Sequence, residues 1–407
     1  MTISPSFLPG QGMQGWLRKD GRKGIRNYLA VAYLVECAHH VARAIAAPFE
    51  EEGVQLIGFP GCYPSDYAFT MMKRLCTHPN VGGVLLVSLG CEEFRRSELA
   101  EAVAQSGRPV TIAVIQERGG TRDTIAFGRG WVERTLGDLA ALPRVPVGFA
   151  DLVVGTECGG SDGTSGITAN PAIGIAVDRL IDHGGTAMFE ETCELLGCEA
   201  HMAGRAATPG LAAEIMRVMR KADDYYRDLE HGSFGGGNIT GGLSTIEEKS
   251  IGAYAKSGTR PIAGLLKPGV LPPKPGLYLM DMVNDGGVRF GIPNINDTAT
   301  VVEMIACGCQ VVLFSTGRGS VVGSAIAPVI KVCANPATYR KLAGDMDVDA
   351  GRILEGRATL ADVGLEIFET VRAVAAGGAT KSEALGHQEF ILTYKTFEPL
   401  GPSCLPV

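Results

Sequence analysis

Three cysteines stand where a folded chain most readily gathers reactive groups. Cys62, Cys91 and Cys158 each follow a short apolar run, in VQLIGFPGC, VGGVLLVSLGC and DLVVGTEC. Such runs read as strands of a parallel sheet, and ligands of parallel sheets collect at the carboxyl ends of strands. Three thiols at strand ends are in a position to converge. The segment GTECGGSDGTSGITANP, residues 155–171, adds five glycines, Asp162 and several hydroxyls between two apolar stretches. A loop that leaves a strand and enters a helix presents unpaired N–H groups and a positive dipole end, which suit a carboxylate or phosphate. Cys158, Asp162, Ser161 and Thr164 add metal-binding or hydrogen-bonding capacity. A plain glycine-rich chain reversal is the competing reading, but GCYPSD, SLGCEE and STGRGS repeat the arrangement of strand, small residues and reactive group.

The elements that must position these residues follow from pattern. Runs at 28–35, 54–59, 81–89 and 109–115 are short, nearly unbroken and rich in β-branched residues, as strands covered on both faces are. AHHVARAIAAPFEEEG, SDYAFTMMKRLCTHP and a stretch near 121–141 read as helices between or after them. This alternation predicts an α/β layer closed by ALPRVPVG near residue 147. The pattern then restarts. DLVVGTE reads as a strand, and NPAIGIAVDRLIDHGG as a helix with Asn170 as N-cap, Pro171 in the first turn and Gly184 past its end. TAMFEE, GLYLMDM and CQVVLFSTGRG are further strands, while TATVVEMIACG, APVIKVCA and ADVGLEIFETVRAVAAGG look helical. The expected fold is therefore two α/β domains with mainly parallel sheets, 13–147 (Rossmann-like) and 148–407, with the site in a cleft at the strand ends.

Composition narrows the class. The chain of 407 residues is 45% apolar, contains 55 glycines and carries a net charge of −7 with both signs mixed along it, which gives no reason to expect nucleic acid. No apolar run approaches the roughly 18–20 residues that span a bilayer, and the N-terminus lacks the pattern of a secretion signal. A cytoplasmic enzyme is the default. Its eleven cysteines are then expected as thiols, with Cys37, Cys193, Cys198, Cys307, Cys309 and Cys333 acting as small hydrophobes. A mean hydropathy of +0.14 and many apolar helices hint at a homo-oligomer. There is no P-loop and no well-placed GxGxxG, and GSFGGGN at 232–238 is a weak phosphate-loop candidate because a polar segment precedes it.

Longer motifs carry a resemblance. GWLRKDGRKGIRN, SLGCE, ECGGSDGTSGITANPA, GGLSTIEEKS, STGRGS and GHQEF occur in one order from residue 13 onward, and the sequence resembles the large catalytic portion of the altronate and galactarate dehydratase family, which includes the large subunit of a sulfolactate sulfo-lyase. The resemblance implies a lyase that takes the α-proton of a sugar acid or other 2-hydroxy acid and eliminates water to give a 2-keto-3-deoxy acid. It also implies dependence on iron, as Fe2+ or an iron–sulfur cluster, with Mn2+ as an alternative. Cys62, Cys91 and Cys158 are then the expected metal ligands, since thiolates suit iron. Arg26, within the basic group Arg18, Arg22, Lys23 and Arg26, and Arg318 on its glycine-flanked turn are expected to hold the substrate carboxylate. Ser161, Asp162 and Thr164 are expected at its hydroxyls, and Lys249, Glu248 and His387 as acid or base. Many members carry a small additional N-terminal domain or partner subunit, which a chain opening at GWLRKDGR would need from elsewhere. Loss of sulfite instead of water, a noncatalytic sugar-acid sensor and a cysteine hydrolase remain as alternatives.

Overall fold

The structure is a computed structural model and describes residues 12–228, 234–285, 296–392 and 394–395. It is an α/β fold with two parallel sheets. The smaller has four strands in the order Val54–Gly58, Tyr28–Tyr33, Val81–Ser88, Val110–Val114, all parallel. The larger has seven in the order Ile262–Leu266, Gly276–Met280, Thr186–Phe189, Val153–Cys158, Val311–Thr316, Val329–Cys333, Val348–Asp349, again all parallel. A small antiparallel ribbon joins Gln14–Leu17 to Lys23–Gly24 and to Val145–Pro146.

The strands form where the sequence places unbroken β-branched runs, and burial on both faces explains why those runs do not alternate. Val81–Ser88 and Val311–Thr316 are buried at every position. One face of the larger sheet packs against helices Ala169–Asp182 and Leu360–Ala375. Between the sheets, Ala30, Ala32 and Ile57 of the smaller share one apolar cluster with Met188, Tyr278 and Val312 of the larger, filled by helices Asp66–Cys76 and Asp297–Ala306. Burying apolar surface on both sides of this contact favours a firm junction.

Three local expectations change. APVIKVCA is a strand, Val329–Cys333, because Val329, Ile330 and Val332 are β-branched and burial at every position suits a central strand. Asn170 lies inside the helix, whose N-cap position is Thr168, and its Oδ1 instead accepts the Ser315 hydroxyl at 2.6 Å, tying the helix to the sheet. Strand Ile262–Leu266 went unread. Of the glycine-rich segment GSFGGGN, residues 232 and 233 fall outside the described residues, while Gly236–Thr240 is a short helix.

Candidate active site

The larger sheet changes winding direction between Val153–Cys158 and Val311–Thr316: the chain goes one way from Val153–Cys158 to Thr186–Phe189, then returns to its other side. The crevice beyond such a reversal is where open α/β sheets bind ligands. The glycine loop after Cys158 and the STGRGS loop meet there through Gly159 N–H to Ser315 carbonyl (3.1 Å) and Arg318 N–H to Gly160 carbonyl (2.9 Å). Glycine is required at 159 because a Cβ there would lie 2.0 Å from Asp297 Oδ2 and 2.5 Å from the Phe314 ring.

Beside this loop lies a buried set of acids and lysines. The Cys158 N–H donates to Glu191 Oε1 at 3.0 Å, its thiol to Glu194 Oε2 at 3.5 Å, and Ser161 Oγ donates to its sulfur at 3.4 Å. Lys249 Nζ donates to Glu194 Oε1 at 2.5 Å, and Lys256 Nζ to Glu191 Oε2. Glu191 is the one non-glycine residue at left-handed φ (76°) among the described residues. That conformation costs about 1–3 kcal/mol and is retained where the surroundings over-determine it. Here the Cys158 amide and the Lys256 ammonium do so. Around the strand end, Glu157 and Glu190 form a buried carboxyl pair joined by a hydrogen bond between their side chains, and each has one Oε2 with no other partner.

The electrostatics follow from burial. Desolvation, then Glu190, pushes the Glu157 carboxyl well up, and desolvation pushes Glu190 up to about 8, so the pair holds a proton at neutral pH. Desolvation and the Glu194 charge push Asp297 up to about 6, and burial pushes the Cys158 thiol up. For Lys249 burial works downward, but Glu194 outweighs it and raises the ammonium's pKa. The set therefore joins buried carboxyls of raised pKa to the Lys249–Glu194 and Lys256–Glu191 ion pairs.

The expected site residues divide. Cys158, Ser161 and Lys249 come together as described. Asp162 is buried beside them, but Oδ1 accepts the Thr164 N–H (2.9 Å) and hydroxyl (2.6 Å) while Oδ2 accepts Asn335 Nδ2 (2.9 Å). Asp162 and Thr164 thus brace the loop. Arg318 stands exposed at its mouth, with Nη1 donating to Gly237 carbonyl at 2.8 Å.

Other expected residues are committed elsewhere. Arg26 does not reach the site: its guanidinium grips Glu383 at 2.8 and 3.0 Å and the carbonyls of Ile25, Val374 and Gly378. Arg18, Arg22 and Lys23 likewise bond to backbone or nearby acids. Glu248 is exposed and caps its helix by accepting from Ser244 N–H and hydroxyl. His387 has Lys331 as its ring neighbour, at 3.4 Å, beneath the loop after STGRG. Pattern could not foresee the partners of Arg26 and His387, which are remote in sequence, whereas the cap that holds Glu248 is local.

The three-thiol metal site is also corrected. Among the described residues, Cys158 shares a 4.8 Å group with Glu191 and Glu194, and the other such group is Glu157, Glu190 and Glu191. Cys62 and Cys91 are in neither; both are exposed, at strand ends of the other sheet. Nor does the Cys158 group suit a metal ion. Its carboxylates already carry the Lys249 and Lys256 ammoniums, and a dication there would face two cations. The Glu157–Glu190 pair satisfies itself with a proton. Sequence reasoning missed Glu157, Glu190, Glu191, Glu194 and Lys256; the available signal was the TEC and FEE ends of two neighbouring strands.

A parallel α/β chain with a buried acid–lysine set at its winding reversal defines an enzyme. Residues 149–397 match the family D-galactarate/Altronate dehydratase, C-terminal, and residues 15–140 match D-galactarate dehydratase/Altronate hydrolase, second domain. The chain belongs to this family and is a lyase. It is 32% identical to (2R)-sulfolactate sulfo-lyase subunit beta of Chromohalobacter salexigens over 95% of this chain and 98% of that one. It is 28% identical to altronate dehydratase of Escherichia coli, covering 95% of this chain and 80% of the relative. It is also 28% identical to galactarate dehydratase (L-threo-forming) of Escherichia coli, covering 92% and 75%. No described helix is long and apolar enough to cross a membrane.

Proposed function

We propose that the protein is a dehydratase that eliminates water from a sugar acid or related 2-hydroxy acid to give a 2-keto-3-deoxy acid. The observation that carries this reading is the buried Glu157–Glu190 pair, whose carboxyl pKa values burial raises, near Lys249 and Lys256. β-Elimination needs a base for the proton next to the carboxylate, an acid for the departing hydroxyl, and positive charge to stabilise the carboxylate as it becomes enolic. In this reading the carboxyl pair supplies the acid, Asp297 the base, and Lys249 with Lys256 the positive charge. Arg318 holds the substrate carboxylate, since the N–H groups of Gly159, Asp162, Gly163, Thr164 and Ser165 are already bonded within the protein. Cys158 orients Glu191 and Glu194.

The reading places the chemistry in the unit 148–407, with 13–147 packed against it, and a cytoplasmic location accords with ten free thiols among the described residues. The identity to the subunit beta of a sulfo-lyase favours a second reading, in which the same proton abstraction expels sulfite, and it supports a small partner subunit. Iron, or Mn2+ in its place, belongs to this proposal only outside the Cys158 group, whose carboxylates are already paired with Lys249 and Lys256.

The test is a panel of aldonates, aldarates and sulfolactate, assayed with ferrous ion for 2-keto acid and for sulfite, with wild-type protein and Glu190→Gln. Keto-acid formation from a polyol acid, lost in the variant, supports the dehydratase. Sulfite release selects the second reading. Full activity in Glu190→Gln overturns the role of the pair.

A further inference from the structure

Three arginines from separate parts of the chain converge on the loop 77–80. Arg22 Nη2 and Arg108 Nη2 donate to the same Thr77 carbonyl, at 2.9 and 3.0 Å. Arg108 also donates to the carbonyls of His78 at 2.9 Å and Val81 at 2.8 Å, and Arg18 Nε donates to the Pro79 carbonyl at 2.7 Å. The patch is largely closed, with Arg18 only 7% and Arg108 only 4% exposed. Asp20 is the one carboxylate that acts on both, and it is already held by Arg22 at 2.6 Å. Three cations against one anion leave an excess of positive charge. Burial and the neighbouring guanidiniums accordingly hold Arg18 down at about 9 and Arg108 at about 10.

Backbone carbonyls satisfy hydrogen bonds but bring no net charge to offset this excess. One donor is also left over, because Arg108 Nη1 is buried without a hydrogen-bond partner. An unpaired donor on a buried cation costs free energy that an anion would recover.

The patch is remote from the acid–lysine set. Loop 77–80 precedes strand Val81–Ser88 and Arg108 precedes Val110–Val114, so both stand at the amino ends of strands. The loop also reaches the amino end of Val311–Thr316: His78 Nε2 lies 3.2 Å from the Cys309 carbonyl, and Asn80 Nδ2 donates to the Gln310 carbonyl at 3.1 Å. Ser315 pairs with Cys158 near the other end of that strand, roughly 20 Å away at about 3.3 Å per residue.

We propose that Arg18, Arg22 and Arg108 form a second anion site, for a tetrahedral oxyanion such as phosphate, sulfate or a phosphate monoester, whose binding firms the junction of the two sheets through loop 77–80. Such an anion brings about two charges and several oxygens to three guanidiniums, whereas a carboxylate brings one charge and two oxygens. Arg22 and Asp20 are the more exposed members, with side chains 28% and 41% exposed, and form the entrance.

Calorimetric titration and thermal unfolding of the full-length protein with inorganic phosphate, sulfate and glycerol phosphate, each against sodium chloride at matched ionic strength, test the site. Saturable binding and a melting temperature raised beyond the chloride control are expected. Arg22→Met should weaken binding by about tenfold or more. Asp20→Asn removes the competing charge while keeping an acceptor for the Arg22 N–H, so it should bind the anion more tightly. A purely structural grip on the loop would produce no such opposite shifts in affinity. Tighter binding of glycerol phosphate marks a phosphorylated metabolite as the source, and tighter binding of inorganic phosphate or sulfate marks the free ion. Circular dichroism checks that both variants fold, as their place in the turn 18–22 leads one to expect. Wild-type protein that responds to phosphate and sulfate no more than to chloride, or affinity unchanged in both variants, overturns the site. None of these readouts uses a hydroxy acid, so their failure leaves the elimination reading untouched, and inactivity in the substrate panel leaves this site untouched.

Discussion

Lys249 Nζ rests 2.5 Å from Glu194 Oε1, and both side chains are largely enclosed. Removing one partner strands the other charge in a low-dielectric site, which costs about 3–5 kcal/mol, whereas removing both with apolar groups of similar size is often close to neutral. Denaturant unfolding of Lys249→Met, Glu194→Leu and the double variant should show that pattern, with the double more stable than either single. Additive losses would mean the two residues act independently.

The buried carboxyl pair makes stability depend on pH. Glu190 has its folded pKa raised from 4.5 to about 8, so between those values the native state binds more protons than the unfolded chain. Stability is therefore fully present below pH 4.5 and declines as pH rises through about 8, by several kcal/mol in all. Thermal unfolding between pH 6 and 9 should give a melting temperature that falls with pH for the wild type and falls less for Glu190→Gln. Equal slopes would show that Glu190 is not held protonated.

Gly159 tests the tight fit of the glycine loop. An added Cβ would meet Asp297 Oδ2 at 2.0 Å, with Phe314 behind it. Overpacking of this kind costs about 1–3 kcal/mol. In Gly159→Ala the displaced Asp297 should reduce kcat more than it changes KM. A variant with wild-type kcat would remove Asp297 from the reacting set.

Two arginines expected to do the same work should separate. Arg26 is bound to Glu383 and three carbonyls, so Arg26→Met should lower stability by about 3 kcal/mol or more. Arg318 is exposed with one backbone contact, so Arg318→Lys should leave unfolding unchanged and raise KM several-fold through loss of the bidentate fork. A destabilised Arg318→Lys with unaltered KM would reverse the assignment.

What the sequence determined by itself was periodic and local. Unbroken β-branched runs between helical patterns specify a parallel α/β fold, and a cysteine just after such a run must stand at a strand end. The length and order of the GWLRKDGR, ECGGSDGT and STGRGS motifs carried the family. Tertiary structure alone decided which reactive groups meet. Cys158 and Cys91 look alike in sequence, yet Cys158 ends a strand of the seven-stranded sheet and Cys91 follows one of the four-stranded sheet. Arg26 has the form of a substrate clamp until Glu383 arrives from the other end of the chain. Glu157 and Glu190 hold a proton because two strands distant in sequence become neighbours and exclude water. Pattern fixes which way a side chain faces, but a site's charge and ligands depend on strand order and burial, which the whole fold sets.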